Sequence, residues 1–134
     1  MKPILVDTDV LSEFLRGNLT VVSNFEKYLQ CYDAISFSII TYYEIINGLL
    51  YKEAKNQLEK FAEFTELNKV IPLTRSATRM AADIYSSLRK TGDPINYTDA
   101  LVAGIAIARD MHLATANTAA YKRIDRIVVK NWMQ

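Results

Sequence analysis

Three carboxylates occupy positions in the 134-residue sequence where a purely structural role is hard to assign. Asp7 directly follows the apolar residues 4–6, which predict a buried strand, and burying a charge is costly unless something compensates it. A bound cation is one such compensation. The alternative is that Asp7 caps the helix that follows. Because Thr8 and Asp9 are better placed for capping, we expect Asp7 to be functional and Asp9 structural.

Glu44 lies on a predicted helix, where helical spacing gives it a face shared with Ile40, Thr41, Asn47 and Gly48. Most of these neighbours are small or polar, and Gly48 would allow another backbone to approach closely. A glutamate in such a place is more commonly an exposed surface residue. Its position after a second predicted strand favours a functional role instead.

Asp99 stands near the start of the most apolar helix predicted in the chain. With Asn96 as the N-cap, Asp99 occupies the third helical position, which stabilises a carboxylate and resembles a capping box. Val102, Ala103 and Ala106 form a close-packing face below it, which would hold the helix start tightly and aim the carboxylate into a cleft. A capping role and a functional role both stay open for Asp99.

The three carboxylates follow separate predicted strand–helix units, so they could converge at one edge of a parallel sheet. Converging carboxylates repel each other unless a metal ion fills the gap. The single Cys31 and the single His112 cannot form a Cys/His zinc site, and oxygen ligands favour Mg²⁺, with Mn²⁺ as the alternative. Such a site activates water and neutralises charge on a phosphodiester, which predicts hydrolytic phosphoryl-transfer chemistry.

The elements that must position these carboxylates are strands alternating with helices. The predicted strands lie at residues 4–6, 34–37, 70–73, 113–115 and 127–129. The predicted helices cover residues 10–15, closed by Gly17; 21–31; 41–67, with a break near 48–52; a segment capped by Ser76 and stopped by residues 91–94; and 98–111. This alternation implies right-handed crossovers and an α/β fold, with a parallel sheet of four or five strands covered on both faces.

The composition is that of an ordinary globular protein, with 50% hydrophobic and 23% charged residues, which excludes a disordered or fibrous chain. The net charge of +1 excludes coating of nucleic acid by charge alone, so any nucleic-acid contact must be local. We expect one domain over residues 1–134, because no linker or repeat interrupts the chain. The lone Cys31 and the short N-terminal apolar run predict a soluble, cytoplasmic protein with no membrane partner.

Four segments carry a family pattern in order along essentially the whole chain. They read Ile-Leu-Val-Asp-Thr-Asp-Val-Leu-Ser-Glu at 4–13, Ser-Ile-Ile-Thr-Tyr-Tyr-Glu-Ile-Ile-Asn-Gly at 38–48, Asn-Tyr-Thr-Asp-Ala-Leu-Val-Ala at 96–103 and Leu-Ala-Thr-Ala-Asn-Thr at 113–118. Together they resemble PIN-domain ribonucleases, specifically the VapC-type toxins of bacterial and archaeal toxin–antitoxin pairs.

The resemblance implies a PIN-like three-layer α/β/α domain that cleaves RNA with Mg²⁺, or alternatively with Mn²⁺. By this resemblance Asp7, Glu44 and Asp99 are the metal-binding acidic residues. The implied partners are an RNA substrate, a small antitoxin protein that inhibits the toxin, and a second copy of the chain in a homodimer.

The chain departs from the family pattern at two places. Asp9 stands where members commonly have Asn, which adds a carboxylate near the metal. The fourth acidic position, in or just after the loop containing Asn117, has no acid until Asp125. The amide oxygen of Asn117, or a water held by Thr115, could complete the ligand shell, so Asn117 is the fourth candidate catalytic residue. The alternative is that Asn117 is only a turn residue.

RNA contact would come from local positive charge and from Tyr97, whose ring could stack on a base. The basic candidates are Arg16, Arg75, Arg79, Arg89, Lys90, Lys122, Arg123 and Arg126. A solvated helix face explains most of these residues equally well.

Two other functions fit parts of the sequence. Residues 7–11, Asp-Thr-Asp-Val-Leu, also resemble the opening motif of haloacid-dehalogenase-type phosphatases, in which Asp7 would be a covalent nucleophile and Asp9 the acid/base. That family needs a later lysine and a closely spaced acidic pair, and no clear acidic pair appears. The second alternative is a catalytically attenuated PIN domain that only binds its partners, for which the missing fourth acid is the support.

Overall fold

The centre of the fold is a parallel β-sheet. The structure is a computed structural model and describes residues 2–134, so Met1 of the expected 1–134 domain lies outside the described residues. The strands are Ile4–Val6 (β1), Ser36–Ser38 (β2), Lys69–Ile71 (β3), His112–Ala114 (β4) and Val129–Lys130 (β5). They are ordered β3-β2-β1-β4-β5, and every neighbouring pair is parallel. The predicted α/β class and the parallel sheet of four to five strands are confirmed.

Helices connect the strands and cover the sheet. Within residues 2–134 they are Thr8–Leu15 (α1), Leu19–Leu29 (α2), Ile39–Tyr51 (α3), Lys55–Leu67 (α4), Arg75–Lys90 (α5), Tyr97–Ala108 (α6) and Thr118–Tyr121 (α7). None of these helices has the length and apolar character needed to cross a membrane.

The central strand β1 separates two hydrophobic clusters because its side chains alternate between the faces of the sheet. Ile4 and Val6 pack with Phe25 of α2 and Phe61 of α4 in one cluster. Leu5 belongs to the other cluster, which contains the inner faces of α5 and α6. All three strand residues are buried, as a strand covered on both faces requires. The predicted three-layer arrangement is therefore confirmed.

The helical stretch predicted over residues 41–67 forms two helices, α3 and α4, and the break predicted near residues 48–52 lies at residues 52–54. The chain leaves α3 after Tyr51, and Glu53 takes a positive φ of 54° before α4 begins. Gly48 lies inside α3 and does not break it. The second helix begins at Leu19 rather than at residue 21, because the Asn18 side chain accepts the N–H groups of Thr20 and Val21.

Two other predicted helix ends are corrected by the local hydrogen bonds. Ser76 is not the cap of α5; the N-cap is Thr74, whose hydroxyl accepts the N–H of Ala77 at 3.1 Å. The helix predicted to reach residue 111 ends at Ala108, because Asp110 takes a positive φ of 53°. Strand β1 lies at its predicted residues, and the other four strands shift by one or two residues from their predicted positions.

The close backbone approach predicted at Gly48 occurs at Gly104 instead. A Cβ at Gly48 would meet nothing within 4 Å. A Cβ at Gly104 would overlap the backbone oxygen of Ala77 and lie 3.0 Å from the Cβ of Ala81. Gly104 therefore allows α6 to pack directly on α5, which fixes the helix that carries Asp99.

Candidate active site

The structure brings Asp7, Glu44 and Asp99 to the same edge of the sheet. Asp7 follows β1 directly, and Glu44 lies in the second turn of α3, which begins where β2 ends. Asp99 is in the first turn of α6. Because β1 and β2 are parallel neighbours, their carboxyl ends share an edge, which is where open α/β sheets bind ligands.

Asp7 is 7% exposed, and both of its carboxylate oxygens accept hydrogen bonds. Oδ1 accepts the backbone N–H of Thr8 at 2.9 Å, while Oδ2 accepts the hydroxyls of Thr115 at 3.0 Å and Tyr121 at 3.2 Å. Asp7 is thus the N-cap of α1, and the expectation that Thr8 or Asp9 takes this role is wrong. Capping uses Oδ1 alone, so it does not prevent a second role for the carboxylate.

Asp9 connects the first turn of α1 to the segment after β4. One of its oxygens accepts the N–H of Val10 at 2.7 Å, and the other accepts the N–H of Ala116 at 3.0 Å. The Thr115 hydroxyl lies 3.4 Å from the same Asp9 oxygen. These hydrogen bonds support the structural role expected for Asp9, and its charge also acts on Asp7.

Glu44 is partly buried and is held by a chain of hydroxyl groups. The Thr8 hydroxyl donates to Glu44 Oε1 at 2.6 Å and lies 2.9 Å from the hydroxyl of Thr41, which is fully buried. Thr41 donates its backbone N–H to the Ser38 hydroxyl, the N-cap of α3. The residue next to Asp7 therefore orients Glu44, which links β1 to α3 at the sheet edge.

Asp99 makes its hydrogen bond outside its own helix. Asn96 is the N-cap of α6, but its side chain makes no capping hydrogen bond. Asp99 Oδ1 instead accepts the hydroxyl of Tyr121 at 3.2 Å. The same hydroxyl lies 3.2 Å from Asp7 Oδ2, so Tyr121 connects Asp99 with Asp7.

The contact that connects Asn117 with the site is made by its backbone and not by its side chain. It is exposed and precedes α7, and its N–H donates to the hydroxyl of Thr115 at 3.1 Å. Tyr121 is the residue from this part of the chain that forms hydrogen bonds with Asp7 and Asp99. It was not among the predicted site residues. The sequence feature that could have pointed to Tyr121 is its hydroxyl group, which lies in the segment where the fourth acidic residue is missing.

Burial and mutual repulsion raise the pKa values of the site. The pKa of Asp7 rises from 3.8 to about 6, first because the carboxyl is buried and then because Asp9 is negatively charged. Burial also raises the pKa of Asp99, with further contributions from the charges of Glu44 and Asp9. The Tyr121 hydroxyl bond and the Arg123 charge oppose this rise. Burial and the two flanking carboxylates raise the pKa of Tyr121, so it keeps its proton.

Among the described residues, no basic side chain forms an ion pair with the carboxylates of the site. The ion pairs found across residues 2–134 involve other carboxylates, and Arg123 itself pairs with Asp93 at 2.5 Å. Oxygen-only donors with repelling charges fit a hard divalent cation. In this arrangement no three Asp, Glu, His or Cys side chains of the described chain group closely enough to hold an ion. Hydroxyl groups lie between the carboxylates, so ion binding requires the carboxylates to draw together.

A groove of about 340 Å³ opens beside Glu44. Its apolar side includes Leu15, Ile45 and Leu49. Its basic side chains are Arg16, which pairs with Glu13, together with Lys52 and Lys60. Arg16 was a predicted RNA contact, whereas Lys52 at the end of α3 and Lys60 on α4 were not, because only folding brings them into one groove with α1. The groove therefore brings the basic side chains of Arg16, Lys52 and Lys60 into the same cleft as Glu44.

Several of the other predicted nucleic-acid contacts are engaged within the protein. Arg79 pairs with Asp83 on the surface of α5. Arg123 donates hydrogen bonds to the backbone oxygens of Ala120, Asp93 and Pro94. It therefore connects two segments of the chain. Tyr97 is 70% exposed and stacks on Tyr85 with ring centroids 4.7 Å apart.

Comparisons with known proteins agree on one family. The family model described as "PIN domain" matches residues 4–127. The curated protein "Ribonuclease VapC10" of Mycobacterium tuberculosis (strain CDC 1551 / Oshkosh) is 27% identical over 124 residues, which cover 92% of this chain and 90% of that protein.

Two solved structures share the fold. One is VapBC2 from Rickettsia felis bound to a promoter DNA fragment, with a TM-score of 0.87 and 24% identity, covering 96% of this chain and 98% of that one. The other is a toxin-antitoxin complex from Klebsiella pneumoniae, with a TM-score of 0.76 and 16% identity, covering 97% of each chain.

Proposed function

Since the chain belongs to the PIN-domain family, we propose that it is a divalent-metal-dependent endoribonuclease that acts as the toxin of a toxin–antitoxin pair. Mg²⁺ is the proposed ion, with Mn²⁺ as the alternative. The observation that carries the proposal is the meeting of Asp7, Glu44 and Asp99 at the carboxyl edge of a parallel sheet. The Tyr121 hydroxyl joins Asp7 to Asp99, and Thr8 joins Asp7 to Glu44 through its N–H and its hydroxyl. A bound cation would relieve the repulsion between these carboxylates when they are ionised.

Asp7, Glu44 and Asp99 would hold the ion through carboxylate oxygens. When bound, a divalent cation activates water for attack at a phosphodiester and neutralises the charge that develops on the phosphate. The Thr8 hydroxyl keeps Glu44 directed toward the sheet edge, and Thr115 fixes one oxygen of Asp7. These hydroxyl groups thus orient the carboxylate oxygens of the metal-free protein.

RNA is the proposed substrate because the similar protein from Mycobacterium tuberculosis is named a ribonuclease. The groove beside Glu44 supports this choice, since Arg16, Lys52 and Lys60 offer local positive charge to a phosphate backbone. The overall charge of +1 makes that local charge necessary. The haloacid-dehalogenase-type alternative is not favoured, because the PIN model accounts for residues 4–127.

The proposed protein partners are a cognate antitoxin and a second copy of the chain. Likeness to the toxin-antitoxin complex from Klebsiella pneumoniae supports the antitoxin. The homodimer follows from the family resemblance, and large apolar side chains of α3 that are exposed in one chain, among them Tyr43, Leu50 and Tyr51, are available to it. Sedimentation of the protein alone should show twice the chain mass; a monomer at micromolar concentration would contradict the dimer.

The proposed activity is tested by RNA cleavage with Mg²⁺, with Mn²⁺ and with chelator. Purified protein free of antitoxin should cut a mixed pool of single-stranded and structured RNA only when metal is present. Asp7→Asn should reduce cutting to the chelator level, because the variant loses a charged ligand while keeping the α1 cap. Asp83→Asn is the matched control, since Asp83 is an exposed carboxylate paired with Arg79, and it should cut like the unsubstituted protein.

Other outcomes of this assay would contradict the proposal in distinct ways. Turnover of a small phosphomonoester with phosphate trapped on Asp7 would support the phosphatase instead. A folded protein that binds RNA or antitoxin but cuts nothing in either metal would be an attenuated binding module. Metal-dependent cutting that persists in Asp7→Asn would remove Asp7 from the site.

A further inference from the structure

The Tyr121 hydroxyl connects two of the proposed metal ligands. It lies 3.2 Å from Asp7 Oδ2 and 3.2 Å from Asp99 Oδ1. A tyrosine hydroxyl has one proton to donate, so the two carboxylates share it. Tyr121 thus links the residue that follows β1 to the first turn of α6, two places that are 92 residues apart in sequence. The segment around it is also the one in which the fourth acid is missing.

The tyrosine ring is fixed by the core. Tyr121 is 0% exposed and belongs to the hydrophobic cluster that contains Leu5, Leu113, Ala100 and Ala103. These residues come from β1, β4 and α6, so the ring belongs to the same buried cluster as the elements that carry Asp99 and lead to Asp7. A buried aromatic side chain packed on several elements has little freedom to move its hydroxyl.

The backbone around Tyr121 is fixed as well. Arg123 donates to the oxygen of Ala120 at 3.1 Å and to the oxygens of Asp93 and Pro94 at 2.8 and 3.1 Å. Its guanidinium also pairs with the Asp93 carboxylate. Arg123 thereby ties the end of α7 to the loop that leads into α6. The position of Tyr121 relative to Asp99 is therefore set by both packing and hydrogen bonds.

The hydroxyl leaves one oxygen of each carboxylate available. Asp7 Oδ1 accepts only the Thr8 N–H, and over residues 2–134 no hydrogen bond ends on Asp99 Oδ2. We infer that Tyr121 is a positioning residue of the metal site, whose hydroxyl holds one oxygen of Asp7 and one of Asp99 so that the remaining oxygens are available to the ion. In the segment that lacks the fourth acid, the neutral Tyr121 hydroxyl thus orients the two carboxylates.

This inference rests on the proposed function, and its test is metal affinity rather than cleavage. Mn²⁺ binding is measured by calorimetry on the unsubstituted protein and on Tyr121→Phe, which keeps the buried ring. Loss of a group that orients metal ligands typically weakens metal binding by about 10- to 100-fold, and we expect a decrease of that size. Tyr28→Phe is the matched control. Tyr28 is also buried, but its hydroxyl accepts the N–H of Ile4 at 3.1 Å, so the variant should bind Mn²⁺ normally.

The alternatives give different results in the same titration. Equal or tighter Mn²⁺ binding by Tyr121→Phe would overturn the inference, and tighter binding would mean that the hydroxyl competes with the ion. A loss of affinity of similar size in Tyr28→Phe would also overturn it, because the effect would then come from general destabilisation. Absence of Mn²⁺ binding by the unsubstituted protein would contradict the proposed function itself along with the role of Tyr121.

Circular dichroism and thermal unfolding in chelator establish that each variant is folded. Arg123→Ala provides a second test of the positioning role. This variant keeps Tyr121 and removes the hydrogen bonds that connect α7 to the loop before α6. It should also weaken Mn²⁺ binding, and unchanged affinity in a folded Arg123→Ala protein would count against the positioning role.

Discussion

Asp7 combines a structural and a chemical role in one side chain. Its Oδ1 caps α1, while its Oδ2 accepts the hydroxyls of Thr115, which follows β4, and of Tyr121 in α7, both distant in sequence. The cap stabilises the helix, but the buried charge next to Asp9 costs stability in the metal-free protein. The same burial and the neighbouring Asp9 charge raise the pKa of Asp7.

The pH dependence of metal-free stability follows from this pKa. Because the pKa of Asp7 is about 6 in the folded protein and 3.8 ordinarily, the folded state binds the extra proton between those values. The contribution of Asp7 to the unfolding free energy therefore falls as pH rises from about 4 to 6, by about 3 kcal/mol. In chelator at pH 7, Asp7→Asn should be more stable than the unsubstituted protein, by about 1 to 3 kcal/mol.

Urea unfolding at several pH values measures this difference. The two proteins should approach equal stability near pH 4, where Asp7 is largely protonated in the folded state. Asp83→Asn, at an exposed carboxylate, is the control and should not show the gain at pH 7. If Asp7→Asn is less stable than the unsubstituted protein at pH 7, the account of the Asp7 charge is wrong.

At the residue scale, the sequence predicted Asp7, Glu44 and Asp99 but not their partners. A carboxylate directly after an apolar strand is recognisable, because nothing in the strand compensates its charge. The hydroxyls of Thr8 and Tyr121 could not be assigned in the same way, since a hydroxyl is compatible with many surroundings. Their partners Glu44 and Asp99 are 36 and 22 residues away, and only the folded chain brings them together.

At the element scale, the correct cap of α5 is testable. Thr74 accepts the Ala77 N–H, whereas Ser76 lies inside the first turn. Thr74→Ala should therefore lower the free energy of unfolding by about 1 kcal/mol. Ser76→Ala should have a smaller effect, because its hydroxyl satisfies no helix N–H group. Thermal or urea unfolding of the two variants decides between the positions, and a larger loss for Ser76→Ala would restore the original expectation.

The packing of α6 on α5 depends on Gly104. Gly104→Ala places a methyl group against the backbone oxygen of Ala77, which cannot move without shifting α5. We expect a loss of about 1 to 3 kcal/mol in stability. Gly48→Ala is the matched control: a helical glycine with open space around it should gain about 0.5 to 1 kcal/mol. Urea unfolding that shows the same effect for both glycines would contradict this packing.

The sequence predicted the order and type of the principal strands and helices better than their ends. The apolar runs at residues 4–6 and 113–115 and the helical spacing after them are strong local patterns. The break between α3 and α4 depends on the positive φ of Glu53, a residue type that does not favour such a conformation. Local patterns also could not distinguish Gly48 from Gly104, since the difference lies in what packs against each glycine.

At the scale of the whole molecule, ion binding should be visible as stability. A ligand that binds only the folded state stabilises it, by about 2.7 kcal/mol when present at 100 times its dissociation constant. Mg²⁺ or Mn²⁺ should therefore raise the melting temperature of the unsubstituted protein. Asp99→Asn should lose most of this increase, while Asp83→Asn keeps it. An equal increase in Asp99→Asn would mean that the ion binds elsewhere.

We propose that the carboxylates at the sheet edge hold a divalent cation with which the protein cuts RNA. The most direct test measures Mn²⁺ occupancy and RNA cleavage in the same samples, for the unsubstituted protein and for Asp99→Asn. We predict that cleavage rises with occupancy in the unsubstituted protein, and that both are lost together in a folded Asp99→Asn protein. RNA cleavage in chelator, or undiminished cleavage by Asp99→Asn, would contradict the claim.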